Sequence, residues 1–166
     1  MSAPTLTIDA LPVLLRREIE ARVLAPFVDD LAAAFGRDAV VDVLRGTITR
    51  IAREQGHALA ARHGSALGGF ATATAAWTAG NALELDVLEQ SDDCYAFNVT
   101  RCGYAEMYRR LGIPELGTVL SCHRDAALID GYNAEVTLTR PNTLLQGGSC
   151  CDFRYARTPA SDTSGT

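Results

Sequence analysis

The sequence predicts an α+β fold: a helical layer packed on one face of a small antiparallel sheet of about four strands. Three observations carry this reading. Through the first half of the chain apolar residues recur at the helical spacing of three and four. From Leu83 onward they alternate with polar residues, the period of a half-buried strand. The first two alternating segments are joined by a short turn-forming stretch, Ser91-Asp92-Asp93, that suits hairpin pairing. No internal repeat or low-complexity segment interrupts the pattern.

The elements follow in order. Pro12 suits the first position of a helix whose apolar residues are Leu14, Leu15, Ile19, Val23 and Leu24. Pro26 removes an amide donor and is expected to bend or stop that helix, leaving a short helical turn from Val28 to Phe35 that ends at Gly36. Asp38 is the expected N-cap of a long helix with the stripe Val41, Leu44, Ile48 and Ile51. That helix continues toward Arg62 and stops near Gly64, and Gly68-Gly69 is expected to break the chain before a helical Ala/Thr-rich stretch to Trp77. Leu83, Leu85 and Val87 define a first strand, Ser91-Asp92-Asp93 a turn, and Tyr95, Phe97 and Val99 a second strand. A helix from Arg101 to Leu111 ends at Gly112, and Pro114 opens another with Leu116, Val119 and Leu120 on one side. Val136 and Leu138 predict a third strand. Cys151, Phe153 and Tyr155 predict a fourth, after Gly147-Gly148.

The chain has 166 residues, enough for one domain with a real core. We expect a single domain over 1–157 and a disordered tail over 158–166, which is rich in Ser, Thr and Gly. The net charge of −5 argues against a nucleic-acid partner. All fifteen basic residues are Arg, which reads as the codon bias of a GC-rich, bacterial genome and excludes lysine Schiff-base chemistry. The five cysteines, an odd count with no signal peptide, predict free thiols and a cytoplasmic location. No apolar stretch approaches a membrane span.

The last third of the chain concentrates chemistry-bearing residues: V-T-R-C-x-Y-A-E-x-Y at Val99 to Tyr108, then L-G-I-P-E-L-G at Leu111 to Gly117, then C-x-x-D at Cys122 to Asp125. Further on come R-x-x-T at Arg140 to Thr143 and G-x-x-C-D-F-R-Y at Gly148 to Tyr155. In this order and at these spacings the chain resembles the L-2-amino-thiazoline-4-carboxylic acid hydrolases. The ending resembles, more remotely, the four-vinyl-reductase domain, a small-molecule-binding fold related to TRAPP subunits, with a helical layer over a four-stranded antiparallel sheet. Some sensory members of that group hold a structural zinc. Here Arg140 and Thr143 stand where two of its ligands would fall and only Cys151 keeps its type, so the zinc site is not expected.

The first resemblance implies hydrolytic opening of a thiazoline ring at the carbon between sulfur and nitrogen, in cysteine-related metabolism. Its substrate is a small molecule with a carboxylate. Cys122 is then the leading candidate for a reacting thiol, at a helix end where Arg124 and His123 would favour thiolate. A buried, inert cysteine is the alternative. Asp125, on the same helical face as Cys122, would be a general base on water or would accept the substrate amine. His123 points away from that face. His57 and His63 are read as solvated or core histidines. Arg140, at a strand end, would clamp the substrate carboxylate, unless it forms an ion pair with Glu106 or Asp152. Thr143, Asn98, Cys102 and Glu106 complete the expected substrate-binding set. Tyr104, Glu106 and Tyr108 do not share one helical face, so only one or two of them would reach a pocket.

No H-x-x-x-H or C-x-x-C pair is present, so no cofactor is expected, although a divalent metal remains compatible. Attack by Cys122 itself and attack by water activated by Asp125 are both open on the sequence, as is a homo-oligomer. Two other readings are a natural-product tailoring enzyme that opens, closes or eliminates a ring on the same fold, and a non-catalytic ligand-binding or sensor module.

Overall fold

The computed structural model describes residues 7–158. Of the expected tail over 158–166, all but the first residue lies outside the described residues, as do residues 1–6. Helix α1 spans Val13–Phe35, α2 Arg37–His63, α3 Leu67–Thr74 and α4 Gly103–Arg110. A short helix α5, Pro114–Gly117, runs through a π-helical turn at 118–122 into α6, His123–Tyr132. The strands are β1 Leu83–Gln90, β2 Cys94–Cys102, β3 Val136–Thr139 and β4 Cys151–Arg157. They form one antiparallel sheet in the order β1-β2-β4-β3, so the expected α+β architecture stands.

Helix α1 departs from the sequence expectation twice. It runs unbroken through Pro26. Pro26 lies on the solvent side, so the Arg22 carbonyl that loses its amide donor faces water, while Ala21 and Val28 hold the helix from the inner face. The inner face is Leu14, Arg17, Ala21, Leu24 and Val28 rather than the stripe expected. Leu15, Ile19, Val23 and Phe27, spaced four apart, are 44 to 66% exposed and form an apolar row on the outside.

The other boundaries move less. Pro12 is the N-cap of α1, and Gly36 rather than Asp38 is the N-cap of α2, with Asp38 in its first turn. The chain breaks at Gly64 to Ala66, and Gly68-Gly69 lie inside α3. Strand β2 runs on to Cys102, so α4 begins at Gly103 rather than Arg101. Val87 is 53% exposed, because β1 is an edge strand whose pairing shifts register between Val87 and Glu89.

The helices cover one sheet face. There Phe97 stacks on Phe153 at 4.7 Å between ring centroids, and Phe70 packs edge-on against both Tyr132 and Tyr155 at 5.0 Å. A second cluster joins α1, α2, α4, α5 and the π turn through Ala21, Val28, Ile48, Tyr108, Leu116 and Leu120. Helices α2 and α6 cross with their backbones in contact. A Cβ added at Gly56 would overlap the Leu128 carbonyl, and one at Gly131 would overlap the Arg53 carbonyl. This crossing presses α6 between α2 and the sheet and fixes which of its side chains face inward.

Candidate functional site

A cavity of about 120 Å³ lies where α1, α4, the π turn and α6 meet the sheet. A dry engineered cavity of about 150 Å³ takes benzene, so this space suits one small ring. The sheet supplies an apolar wall from Leu83, Val99, Cys151 and Phe153, and Trp77 adds an aromatic one. The polar groups are few and convergent, the usual make-up of a small-molecule site.

Asp125 and Arg140 form its centre. Asp125 stands in the first turn of α6, and Arg140 follows β3 directly. Arg140 Nη1 donates to Asp125 Oδ2, and Nη2 donates to the Cys122 carbonyl at 2.8 Å. The guanidinium lies 4.7 Å from the Phe153 ring centroid, a cation–π contact that fixes its plane. Arg140 thus pairs with neither Glu106 nor Asp152. Asp152 instead accepts 2.8 Å hydrogen bonds from the backbone and side chain of Asn142. Burial raises the Asp125 pKa above the usual aspartate value, while Arg140 first, then Arg17 and Arg124, pull it back. The result is a buried carboxylate held in place by a cation, with 19% of its side chain still exposed and lining the cavity.

Cys122 closes the π turn beside Asp125. Widening of a helix by one π turn is a recurrent feature of functional sites, since it redirects the side chains around it. Tyr108, whose ring lies flush on Gly117, shares a 2.8 Å hydrogen bond with Ser121 on the same turn. The expected thiolate is not favoured. Burial pushes the Cys122 thiol up to about 12, and the adjacent Asp125 adds to that, outweighing Arg140. Arg124 does not counter this, because its guanidinium turns to the Leu120 carbonyl and Glu20. His123 is exposed on the outside of α6, as its position on the helix implied.

Cys102 also lines the cavity, with burial raising it to about 11, and Cys151 joins it from β4. Each sulfur accepts a backbone hydrogen bond, Cys102 from Ala105 at 3.4 Å and Cys151 from Leu144 at 3.2 Å. Among the described residues no three His, Cys, Asp or Glu side chains converge to hold a metal ion.

Three expected site residues lie elsewhere. Asn98 sits on the outer sheet face and accepts from Arg154 at 2.8 Å, because Phe97 and Val99 take the inner face of β2. Glu106 is half exposed and paired with Arg101 at 2.7 Å, a quarter turn or more away from the Tyr104–Tyr108 edge of α4 that lines the cavity. Thr143 is buried, but it caps the turn at 144–146, its hydroxyl engaged with Gln146.

Two residues that the sequence reading did not place in the substrate-binding set take part in their place. Arg17 from α1 and Arg124 from α6 line the cavity, and Glu20 bridges them, accepting from Arg17 at 2.5 Å and from Arg124 at 2.9 Å. Arg17 has a legible signal in retrospect: it occupies the inner face of α1, between Val13 and Ala21 at four-residue steps.

No helix among the described residues is long and apolar enough to cross a membrane. No curated protein matches the chain. Among solved structures it is similar to trafficking protein particle complex subunit 3 from Naegleria fowleri, itself covalently bound to palmitic acid. The TM-score is 0.50 at 10% identity, over 87% of this chain and 96% of that one, a likeness of fold. The sequence of residues 16–155 matches the family model of L-2-amino-thiazoline-4-carboxylic acid hydrolase, and the chain belongs to that family.

Proposed function

We propose that this protein hydrolyses a small cyclic amidine-type carboxylate of the thiazoline class, with Asp125 as general base. The observation that carries the reading is the Asp125–Arg140 pair on the wall of a cavity sized for one ring. A carboxylate whose pKa is raised by burial is a stronger base than a solvated one, and Arg140 keeps it ionised and oriented. Water held by Asp125 attacks the ring carbon between sulfur and nitrogen and gives its proton to the carboxylate. The ring nitrogen takes that proton from Asp125; the tetrahedral adduct then collapses to a carbonyl with cleavage of the ring carbon–nitrogen bond, its hydroxyl proton passing, again through Asp125, to the departing nitrogen. The net change is addition of one water.

Burial of Cys122 as a neutral thiol favours attack by water over attack by sulfur. In this reading Cys122, Cys102 and Cys151 shape the pocket. A long acyl chain, the ligand of the fold neighbour, suits poorly a cavity of this size with four charged side chains on its wall.

The test is turnover of L-2-amino-thiazoline-4-carboxylate by the purified protein and its Asp125→Asn and Cys122→Ala variants, with and without chelator. The expected result is ring opening by the wild type, its loss in Asp125→Asn and its retention in Cys122→Ala. A folded wild type that leaves the ring intact, even with added divalent metal, would overturn the thiazoline assignment. The same assay would then be run on other five-membered rings of tailoring pathways.

A further inference from the structure

The carboxylate clamp that the sequence places at Arg140 is already engaged. Both terminal nitrogens of Arg140 are engaged, one with Asp125 and one with the Cys122 carbonyl, so its end-on fork is occupied and only Nε is without a hydrogen-bond partner. Arg124, the residue before Asp125 on α6, is engaged differently. Arg124 is 7% exposed, and its nitrogens are unequally used: Nε donates to the Leu120 carbonyl at 2.6 Å and Nη2 to Glu20 at 2.9 Å, while Nη1 has no hydrogen-bond partner. Arg17, whose Nη1 is paired to the same Glu20, lines the cavity beside it.

The charges around the cavity do not balance. Three arginines, Arg17, Arg124 and Arg140, line the cavity. Asp125 answers one of them, and Glu20, set behind the wall, is shared between the other two. One positive charge is left over in an enclosed, largely apolar space, where an uncompensated ion and an unpaired donor are both costly. Burial also lowers the Arg124 pKa to about 10, the direction expected of a guanidinium short of a counter-charge.

We propose that Arg124, seconded by Arg17, is the carboxylate-binding subsite of this cavity, and that its ligands are small molecules bearing a single negative charge. One carboxylate placed there closes the charge balance and supplies the acceptor that Arg124 Nη1 lacks. The ring of the same ligand then extends toward Asp125. The subsite deepens the hydrolase reading and rests on it for the identity of the ring, but binding is separable from turnover. Trp77 is the single tryptophan of the sequence and lines the cavity, so its emission reports occupancy directly.

The experiment is a fluorescence titration with three acids, L-2-amino-thiazoline-4-carboxylate, thiazolidine-4-carboxylate and pyrrole-2-carboxylate, each beside its neutral carboxamide. At least one acid is expected to bind the wild type about tenfold or more tighter than its amide, the worth of a charge-assisted hydrogen bond. Arg124→Met is expected to erase that preference and Arg124→Lys to restore part of it. Asp125→Asn, inactive in turnover, is expected to keep it. If Arg124→Met does not fold, as judged by circular dichroism, Arg17→Met gives the same reading.

The subsite is overturned if no acid is preferred over its amide, or if the preference survives loss of both Arg124 and Arg17. An Arg124-dependent preference without ring opening would sink the hydrolase reading alone. Ring opening with an unchanged KM in Arg124→Met would sink the subsite alone.

Discussion

Asp125 is held between two opposed effects. Burial disfavours its charge, and Arg140 sustains it through a hydrogen bond and an ion pair. Asp125→Asn is expected to lower kcat by about 10²- to 10⁴-fold, the usual contribution of a general base, with KM little changed. Catalysis needs the carboxylate form, so the rate falls as pH drops through its pKa. Because burial raises that pKa, the acid limb of a kcat/KM–pH profile is expected above the position of an exposed aspartate. A limb at the ordinary aspartate position would count against Asp125 as the base. For Cys122→Ser, most of the activity is expected to remain. A covalent substrate adduct seen by intact mass on Cys122 would instead select the sulfur route. The Cys122–Asp125 pair was legible in the sequence, because residues three apart share a helical face. Arg124 was not, since it lies about a quarter turn from Asp125 and reaches the same cavity only because α6 is enclosed on several sides.

At the scale of elements, the site depends on the α2–α6 crossing. Gly56 and Gly131 bring the two backbones together, and α6 carries both Arg124 and Asp125. Gly131→Ala gains helix propensity, yet it would drive a methyl group into the Arg53 carbonyl and push α6 away. A net destabilisation of about 1–3 kcal/mol is expected, the range for overpacking a close-packed core. Chemical denaturation measures it, and an unchanged midpoint would show that the helices separate freely. Pro26 illustrates the limit of local rules at this scale. The sequence reads it as a helix end, but packing of Ala21 and Val28 on the inner side holds α1 continuous across it.

For the whole molecule, the cavity thiols make folding pH-dependent on the alkaline side. Burial raises Cys122 to about 12 and Cys102 to about 11, from an ordinary value of 9.0. Above pH 9 the unfolded chain releases these protons while the folded chain retains them, so the folded state binds more protons and stability falls as pH rises. Thermal unfolding is expected to show a Tm that declines from about pH 9 toward pH 12, with a shallower decline in Cys122→Ala. An identical slope in the variant would mean that the Cys122 thiolate is tolerated in the fold.

The sequence by itself determined the class of fold, the strand positions and the family, and put Cys122 and Asp125 on one helical face, because hydrophobic period and short-range spacing are local properties of the chain. Tertiary structure decided what surrounds that pair. It turned Arg140 onto Asp125, brought Arg17 across from a helix more than a hundred residues earlier, and sent Asn98 and Glu106 to other surfaces. Which partner a guanidinium meets, and which face of α1 is buried, depends on contacts between segments distant in sequence. Those follow from packing α1, α6 and the sheet around one cavity.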